Sequence, residues 1–208
     1  MYERAHTTYR SNWFYVLKED GGLQLVHDLQ PLNRLTIRDA AVPPIVDDFV
    51  ESYAGKSVYT VLDMYWGFHA RVLDVHSRDL TAFHTDLGTF RLTSLPMGYT
   101  NAPAEFQACM MFILQDKVPD VAGVFIDDIP IKGPATKYLG ADRKEETLPE
   151  NPGIRRYIWE HINNVHRILH CIGEAGGTVS AKKMQLCQAE VEIVGHKCSA
   201  RGCEPVES

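Results

Sequence analysis

Two adjacent aspartates, Asp127 and Asp128, interrupt a run of apolar, β-favouring residues in the segment VAGVFIDDIPIKG, residues 121–133. Successive side chains of a strand point to opposite faces, so the two carboxylates can share a site only if the chain turns there. Carboxylates left unpaired beside an apolar layer are unfavourable, and two close together repel each other unless a cation neutralises them. The segment therefore predicts either a turn that happens to contain two aspartates or a cation site at the end of a strand.

Mg²⁺ suits such a pair, because it prefers hard oxygen ligands and is typically held by one or two carboxylates together with substrate phosphates and water. A distant third carboxylate, Asp63, follows the strand-like run YTVL and is a candidate partner for the pair. Its plainer interpretation, an N-cap for the residues that follow, stays open.

The composition indicates a folded chain with one sizeable core or two small lobes, since 45% of the 208 residues are hydrophobic. The sequence shows neither a secretory signal pattern nor an apolar run of membrane-spanning length, so we expect an intracellular chain with no membrane partner. The net charge of -6 argues mildly against a polyanionic partner unless basic residues gather locally. Five cysteines without CxxC spacing predict reduced thiols.

Turn signals and apolar periodicity predict the order of the secondary-structure elements. We expect hairpins in NWFYVLKEDGGLQLVHDL, DLTAFHTDLGTFRLTSL and EVEIVGHKCSARG, a strand in SVYTVLD, and helices in IVDDFVESYAGK, in TNAPAEFQACMMFILQDK and from Ile154 to Gly176. A polar insertion marked by Pro and Gly, at about 134–153, is predicted to be exposed.

Three histidines in the last predicted helix suggest a competing zinc site. His166 and His170 lie one helical turn apart, Cys171 is adjacent, and His161 precedes them. No third and fourth ligand follows at a suitable spacing, and histidines that pack or face solvent are the plainer interpretation.

Five blocks of sequence carry a resemblance to a known family. VLDMYWGFHARV, LTSLPMGYTNAPAEFQ, FIDDI, AGGTVSAKK and EVEIVGHKCSARGCEP occur in the order found in reverse transcriptases of gypsy-type LTR retrotransposons. The resemblance extends from Asn12 to Pro205, and the insertion after FIDDIPIKG is similar to that of elements in fungal genomes.

The resemblance implies an α+β fold: a right-hand polymerase palm, in which an antiparallel sheet packs on helices, with partial fingers and without a thumb. Residues 1–208 would form a single reverse transcriptase domain. Within it, about 1–56 and 76–96 would be mainly fingers, and about 57–75 and 97–208 mainly palm. The chain resembles a fragment of a Pol polyprotein.

The activity that the resemblance implies is RNA-directed DNA synthesis, the transfer of nucleotides from dNTPs to a primer 3'-hydroxyl on an RNA or DNA template. The family's catalytic and metal-binding aspartates fall on Asp63, Asp127 and Asp128, and the cofactor would be two Mg²⁺ ions, for which Mn²⁺ can substitute. Phe125 stands where the family usually has tyrosine. Strand alternation would direct Asp128 away from the other two and make it the weakest ligand.

Further residues match family positions that contact the nucleotide or the primer. Phe68 would lie under the incoming sugar and exclude a 2'-hydroxyl, and the Lys182-Lys183 pair would lie near the phosphates. The full nucleotide-binding set is Met64, Phe68, Met97, Gly98, Lys18, Gln24 and Lys182, and the primer-grip set is Val194, Gly195 and His196.

The fingers hairpin departs from the family pattern, because Leu23-Gln24 stands where the family commonly has Trp-Arg. Glutamine cannot neutralise a phosphate, and Lys18 on the partner strand lacks the bidentate geometry of arginine. This departure favours an alternative function: a catalytically impaired or decayed retroelement fragment that retains the palm fold and weak nucleic-acid binding. The sequence leaves both functions open.

Overall fold

The computed structural model describes residues 1–17, 21–39, 43–65 and 67–206. The chain divides into two compact units. The first comprises Met1–Ala41 and Trp66–Phe106, and the second comprises Val42–Tyr65 and Gln107–Ser208. The assignment of residues to fingers and palm stays a prediction.

Helices and antiparallel strands are interleaved along the chain, which confirms the predicted α+β class. The strands are β1 (Tyr2–Arg4), β2 (Trp13–Leu17), β3 (Leu23–His27), β4 (Tyr59–Asp63), β5 (Phe83–Thr85), β6 (Gly88–Leu92), β7 (Asp128–Lys132), β8 (Thr147–Leu148), β9 (Asn151–Arg155), β10 (Gln185–Gln188), β11 (Glu190–Ile193), β12 (His196–Ser199) and β13 (Gly202–Pro205). The helices are α1 (Gln30–Leu35), α2 (Val46–Glu51), α3 (Gly67–Ala70), α4 (Ala102–Ile113) and α5 (Arg156–Glu174), with a short 3-10 helix at Arg78–Thr81.

The first unit contains a three-stranded sheet in the order β1-β6-β5 and a separate β2–β3 hairpin. Both predicted hairpins of this unit are confirmed, since β5 pairs antiparallel with β6 and β2 with β3. Lys18, Glu19 and Asp20 lie outside the described residues, and with them the first half of the turn predicted at residues 19–22.

The second unit contains two three-stranded sheets, β10-β4-β7 and β11-β12-β13, and the small β8–β9 hairpin in the polar insertion. β4 is the middle strand of its sheet and is buried over its first four residues. A strand that is covered on both faces reads as a continuous apolar run, which is why YTVL was recognisable in the sequence. Asp63 ends this strand, and 16% of its side chain is exposed.

Helix α5 buries one face in the second unit. Its buried residues are Tyr157, His161, Val165, Ile168 and Ile172, which recur at helical spacing and confirm the helix predicted for this segment. The helix ends at Glu174, just before Gly176, whose positive φ of 76° continues the chain in a left-handed conformation.

Two tyrosines connect the turn after α2 to the sheet that carries the aspartates. The hydroxyl of Tyr53 donates a hydrogen bond to the carbonyl of Pro130 in β7 at 3.0 Å, and the hydroxyl of Tyr59 in β4 donates to the carbonyl of Tyr53 at 2.8 Å. Both side chains are almost completely buried. Satisfied polar groups in a core fix its geometry, so these contacts help to hold β4 and β7 in place.

The C-terminal sheet contains one strand more than the sequence predicted. The expected β11–β12 hairpin is confirmed, and β13 adds to its edge. Pairing of β12 with β13 places Cys198 opposite Cys203, where the two form a disulfide. The prediction of reduced thiols is therefore wrong for this pair, because it took no account of β13. Among the described residues, none of the helices is long and apolar enough to cross a lipid bilayer.

Candidate active site

The chain turns sharply at the Asp-Asp pair, as a shared site requires. The N–H of Phe125 donates to the carbonyl of Asp128 at 2.9 Å, and the N–H of Asp128 donates back to the carbonyl of Phe125 at 3.0 Å. Ile126 and Asp127 form the two-residue loop between them. Ile126 has a φ of +57°, a conformation that a β-branched residue rarely adopts.

The pairing of β4 with β7 brings the third aspartate to this turn. Asp63 lies directly opposite Asp128, and the N–H of Met64 donates to the carbonyl of Asp127 at 3.0 Å. Directly opposed residues of an antiparallel pair share a face of the sheet. The prediction that Asp128 points away from Asp63 is therefore wrong, because it assumed an extended strand where the chain turns.

Electrostatic repulsion marks the three carboxylates as a group with excess negative charge. Burial raises the pKa of the Asp128 carboxyl, and the neighbouring charges of Asp127 and Asp63 raise it further. Lys183 opposes them: its Nζ donates to Oδ2 of Asp63 at 2.9 Å, and this hydrogen bond raises the pKa of the lysine. One ammonium group thus faces three carboxylates.

The segment after α5 places Lys183 next to Asp63. Ser180 donates its N–H to the carbonyl of Asp63, and Tyr65 donates its N–H to the carbonyl of Thr178, both at 2.8 Å. Gly177 permits the approach, since a Cβ there would lie 2.8 Å from the Ile172 side chain. Lys183 makes the contact with Asp63, whereas Lys182, the lysine chosen for the predicted nucleotide-binding set, is simply exposed.

The donor atoms at the turn fit a divalent cation in chemistry. They are hard carboxylate oxygens, and Lys183 Nζ is hydrogen-bonded to one of them, Oδ2 of Asp63. The backbone brings the three residues together, but their side chains do not converge. Among the described residues, no group of three or more His, Cys, Asp or Glu side chains is close enough together to hold a metal ion.

The predicted nucleotide-binding residues of the first unit lie on short elements and loops. Phe68 in α3 packs its ring against Phe106, with centroids 5.1 Å apart. Met97 is exposed, and Gly98 has a φ of +88° with open space where a Cβ would lie. Backbone conformation, rather than close approach of another group, thus accounts for glycine at 98. Gln24 is exposed on β3, and Lys18 lies outside the described residues.

The predicted primer-grip residues form the loop between β11 and β12. Val194 and Gly195 both have positive φ, 48° and 74°, which is the pattern of a type I′ hairpin turn. His196 begins β12, and its Nε2 lies 3.8 Å from Oδ1 of Asp47. Their function stays a prediction.

The histidines of α5 separate into two environments. His161 is fully buried, with Nε2 2.8 Å from the hydroxyl oxygen of Thr60 in β4. His166 and His170 stack on each other with centroids 6.5 Å apart. His161 therefore belongs to the core of the second unit.

Gln107, which was not among the predicted site residues, contacts the backbone of the aspartate turn. Its side chain is only 7% exposed and bonds to Val124 and Ile126. A signal was present, because Gln107 lies between Ala104 and Met110 at helical spacing, on a face that is otherwise apolar. A buried polar residue on such a face requires partners.

Comparison with protein families identifies the class of this fold. The chain matches the reverse transcriptase (RNA-dependent DNA polymerase) family over residues 16–198. This is most of its length, so the chain belongs to that family, as the resemblance predicted. Reverse transcriptases generally use divalent metal ions.

Its relatives include polyproteins of LTR retrotransposons. The chain is 27% identical over 182 residues to the Retrovirus-related Pol polyprotein from transposon 412 of Drosophila melanogaster, which covers 88% of this chain and 13% of the relative. It is 26% identical over 179 residues to the corresponding polyprotein from transposon gypsy of the same species. This match covers 86% of this chain and 15% of the relative. The Transposon Tf2-3 polyprotein of Schizosaccharomyces pombe is 24% identical over 193 residues, covering 93% and 13%.

Solved structures share the fold. The foamy viral protease-reverse transcriptase in complex with double-stranded DNA aligns with a TM-score of 0.79 at 22% identity, covering 99% of this chain and 32% of that one. The foamy viral protease-reverse transcriptase in complex with an RNA/DNA hybrid aligns with a TM-score of 0.76 at 23% identity. This alignment covers 100% of this chain and 25% of that one. These alignments confirm the predicted α+β polymerase palm.

Proposed function

We propose that this chain is an RNA-directed DNA polymerase module that adds nucleotides from dNTPs to a primer 3'-hydroxyl on an RNA or DNA template. One observation carries the proposal: β4 and β7 hold Asp63 opposite Asp128, with Asp127 in the adjoining turn. Membership of the reverse transcriptase family supports it. A turn with no catalytic role would need no third carboxylate from a distant strand.

Asp63, Asp127 and Asp128 would hold the divalent cations, Mg²⁺ or, as a substitute, Mn²⁺, and the carbonyl of Met64 is a further proposed ligand. When bound by these residues, the ions would supply the chemistry of lowering the pKa of the primer hydroxyl and of stabilising the charge on the leaving pyrophosphate. The negative charge at the turn supports this role: burial raises the pKa of the Asp128 carboxyl, and the charges of Asp127 and Asp63 raise it further.

Lys183 has a proposed part in charge balance. It neutralises Asp63 through a hydrogen bond of 2.9 Å, and its exposed side chain is free to turn toward a triphosphate once a cation takes its place. Lys182 would supply a second positive charge to the same phosphates.

The other predicted residues have proposed roles in selecting the nucleotide and gripping the primer. Phe68 would exclude a 2'-hydroxyl, and Met97 and Gly98 would contact the template and nucleotide. In the fingers hairpin, Lys18 and Gln24 would approach the triphosphate. The hairpin loop formed by Val194, Gly195 and His196 would hold the primer end.

The proposed partners are a template–primer duplex, dNTPs and the remainder of a Pol polyprotein. The chain spans only 13–15% of the curated relatives described above, all of which are polyproteins. The foamy viral enzyme that shares the fold was solved with double-stranded DNA and with an RNA/DNA hybrid.

Primer extension on an RNA template with Mg²⁺ tests the proposal. Asp127→Asn preserves the size of the side chain but removes its charge, so we expect extension to fall by about 100-fold or more. Asp48→Asn is the matched control, because Asp48 is exposed on α2 and, like Asp127, belongs to a pair of adjacent aspartates. Equal extension by wild type and Asp127→Asn, or none by wild type, would favour the non-catalytic alternative.

A further inference from the structure

Gln107 contacts the backbone on both sides of Phe125. Its Nε2 donates to the carbonyl of Val124 at 2.9 Å, and its Oε1 accepts the N–H of Ile126 at 2.6 Å. The donor and the acceptor of the side-chain amide thus both bond to the same short stretch of backbone. Because Gln107 is 7% exposed, water competes little for these bonds.

The stretch that Gln107 holds is conformationally unfavourable. Of the two loop residues, Ile126 has positive φ and Asp127 does not, which is the pattern of a type II′ hairpin turn. Glycine is the usual residue at the first loop position of that turn. A β-branched residue there costs on the order of 1–3 kcal/mol and persists only where surrounding contacts enforce it.

The hydrogen bonds within the turn do not by themselves select this conformation. Residues 125 and 128 exchange the same pair of bonds in hairpin loops of several types. The hydrogen bond from the Ile126 N–H to Gln107 is different, because it fixes the orientation of the peptide group between Phe125 and Ile126. If Ile126 returned to negative φ, the direction of the Asp127 side chain would change with it.

We infer that Gln107 is a positioning residue, which holds Ile126 in its left-handed conformation and so sets the direction in which Asp127 leaves the loop beside the end of β4. This inference rests on the proposed function for its catalytic consequence, and on contacts within the second unit for its structural part. Gln107 does not touch substrate; it acts through Asp127.

Three variants test the inference. Gln107→Met keeps the length of the side chain and removes both hydrogen bonds, whereas Gln107→Glu keeps an acceptor for Ile126. Gln115→Met is the control, because Gln115 is exposed just beyond the end of α4. Each protein is compared by thermal unfolding, by hydrogen exchange at the Ile126 amide, by Mn²⁺ affinity, and by kcat and KM for primer extension.

We expect Gln107→Met to remain folded, to exchange the Ile126 amide about tenfold faster and to bind Mn²⁺ several-fold more weakly. Its kcat should fall roughly 10- to 100-fold, while KM for the template–primer changes little, because the misplaced group acts in the chemical step. Gln107→Glu should recover part of kcat, and Gln115→Met should match wild type.

The inference is overturned if Gln107→Met keeps wild-type exchange and Mn²⁺ affinity. A purely structural role would also overturn it. In that case Gln107→Met would lower the melting temperature but leave kcat unchanged, as well as hydrogen exchange at the Ile126 amide measured below the unfolding temperature. If wild type extends no primer, the polymerase proposal fails separately, and exchange at Ile126 together with Mn²⁺ affinity still decides whether Gln107 holds the turn.

Discussion

Among the residues that the structure describes, Lys183 is the cation that contacts the aspartate turn. Lys183 bonds to Asp63, whereas Asp127 and Asp128 raise the pKa of the lysine only through their more distant charges. A cation that took Oδ2 of Asp63 would displace this ammonium group. We therefore expect the lysine to compete with a metal ion when no nucleotide is present.

Removing that competition should strengthen metal binding. We expect Lys183→Met to bind Mn²⁺ about two- to fivefold more tightly than wild type in the absence of nucleotide, since an exposed ion pair contributes about 0.2–1 kcal/mol. Lys182→Met is the matched control and should change the affinity less. Titration followed by electron paramagnetic resonance measures both, and weaker binding by Lys183→Met would show that the lysine does not compete.

At the scale of elements, a polar contact in the core joins α5 to the sheet that carries the aspartates. His161 Nε2 shares a hydrogen bond with the hydroxyl of Thr60 in β4, and this hydroxyl also accepts the N–H of Cys187 in β10 at 3.1 Å. Burial lowers the pKa of His161 to about 4. The imidazole is therefore neutral in the folded protein at neutral pH.

This contact predicts a loss of stability in mild acid. The unfolded chain takes up a proton on His161 near its ordinary pKa of about 6.5, while the folded protein does not until about pH 4, so the free energy of unfolding falls as pH drops between these values. We expect this histidine to account for about 2 kcal/mol of loss between pH 7 and pH 5.

Urea unfolding at the two pH values measures the effect. His161→Leu should remove that part of the pH dependence, and His166→Gln, which changes an exposed histidine of the same helix, should retain it. The same pH dependence in His161→Leu as in wild type would contradict the assignment.

Elements with one buried face could be predicted from the sequence. The stripe of α5, the apolar run of β4 and the three hairpins each leave a local periodic signal or a turn signal. β13 leaves no comparable signal, since GCEP neither alternates nor begins with a recognisable turn. The Cys198–Cys203 disulfide was missed for the same reason.

The candidate site was predictable in composition but not in arrangement. Ordered blocks of sequence gave the three aspartates and the family. Positive φ at Ile126 could not be foreseen, because isoleucine disfavours it, and a strand register was needed to place Asp128 opposite Asp63. Likewise, only the backbone pairing of residues 178–180 with the end of β4 distinguishes Lys183 from Lys182.

At the scale of the whole molecule, a net charge of -6 is compatible with a nucleic-acid polymerase because charge acts locally. Some of the acidic residues are the carboxylates proposed to hold metal, and their charge is neutralised when cations bind. The chain also spans a small part of its polyprotein relatives, so we expect much of the grip on a template–primer to come from the remainder of such a polyprotein.

Mn²⁺ binding, followed by electron paramagnetic resonance, tests the central claim most directly: that distant parts of the chain form one metal-binding carboxylate site. Wild type and Asp48→Asn should bind the ion equally, and Asp63→Asn and Asp127→Asn should each weaken binding by about tenfold or more, since each removes a carboxylate ligand. Unchanged affinity in both of these variants would contradict the account.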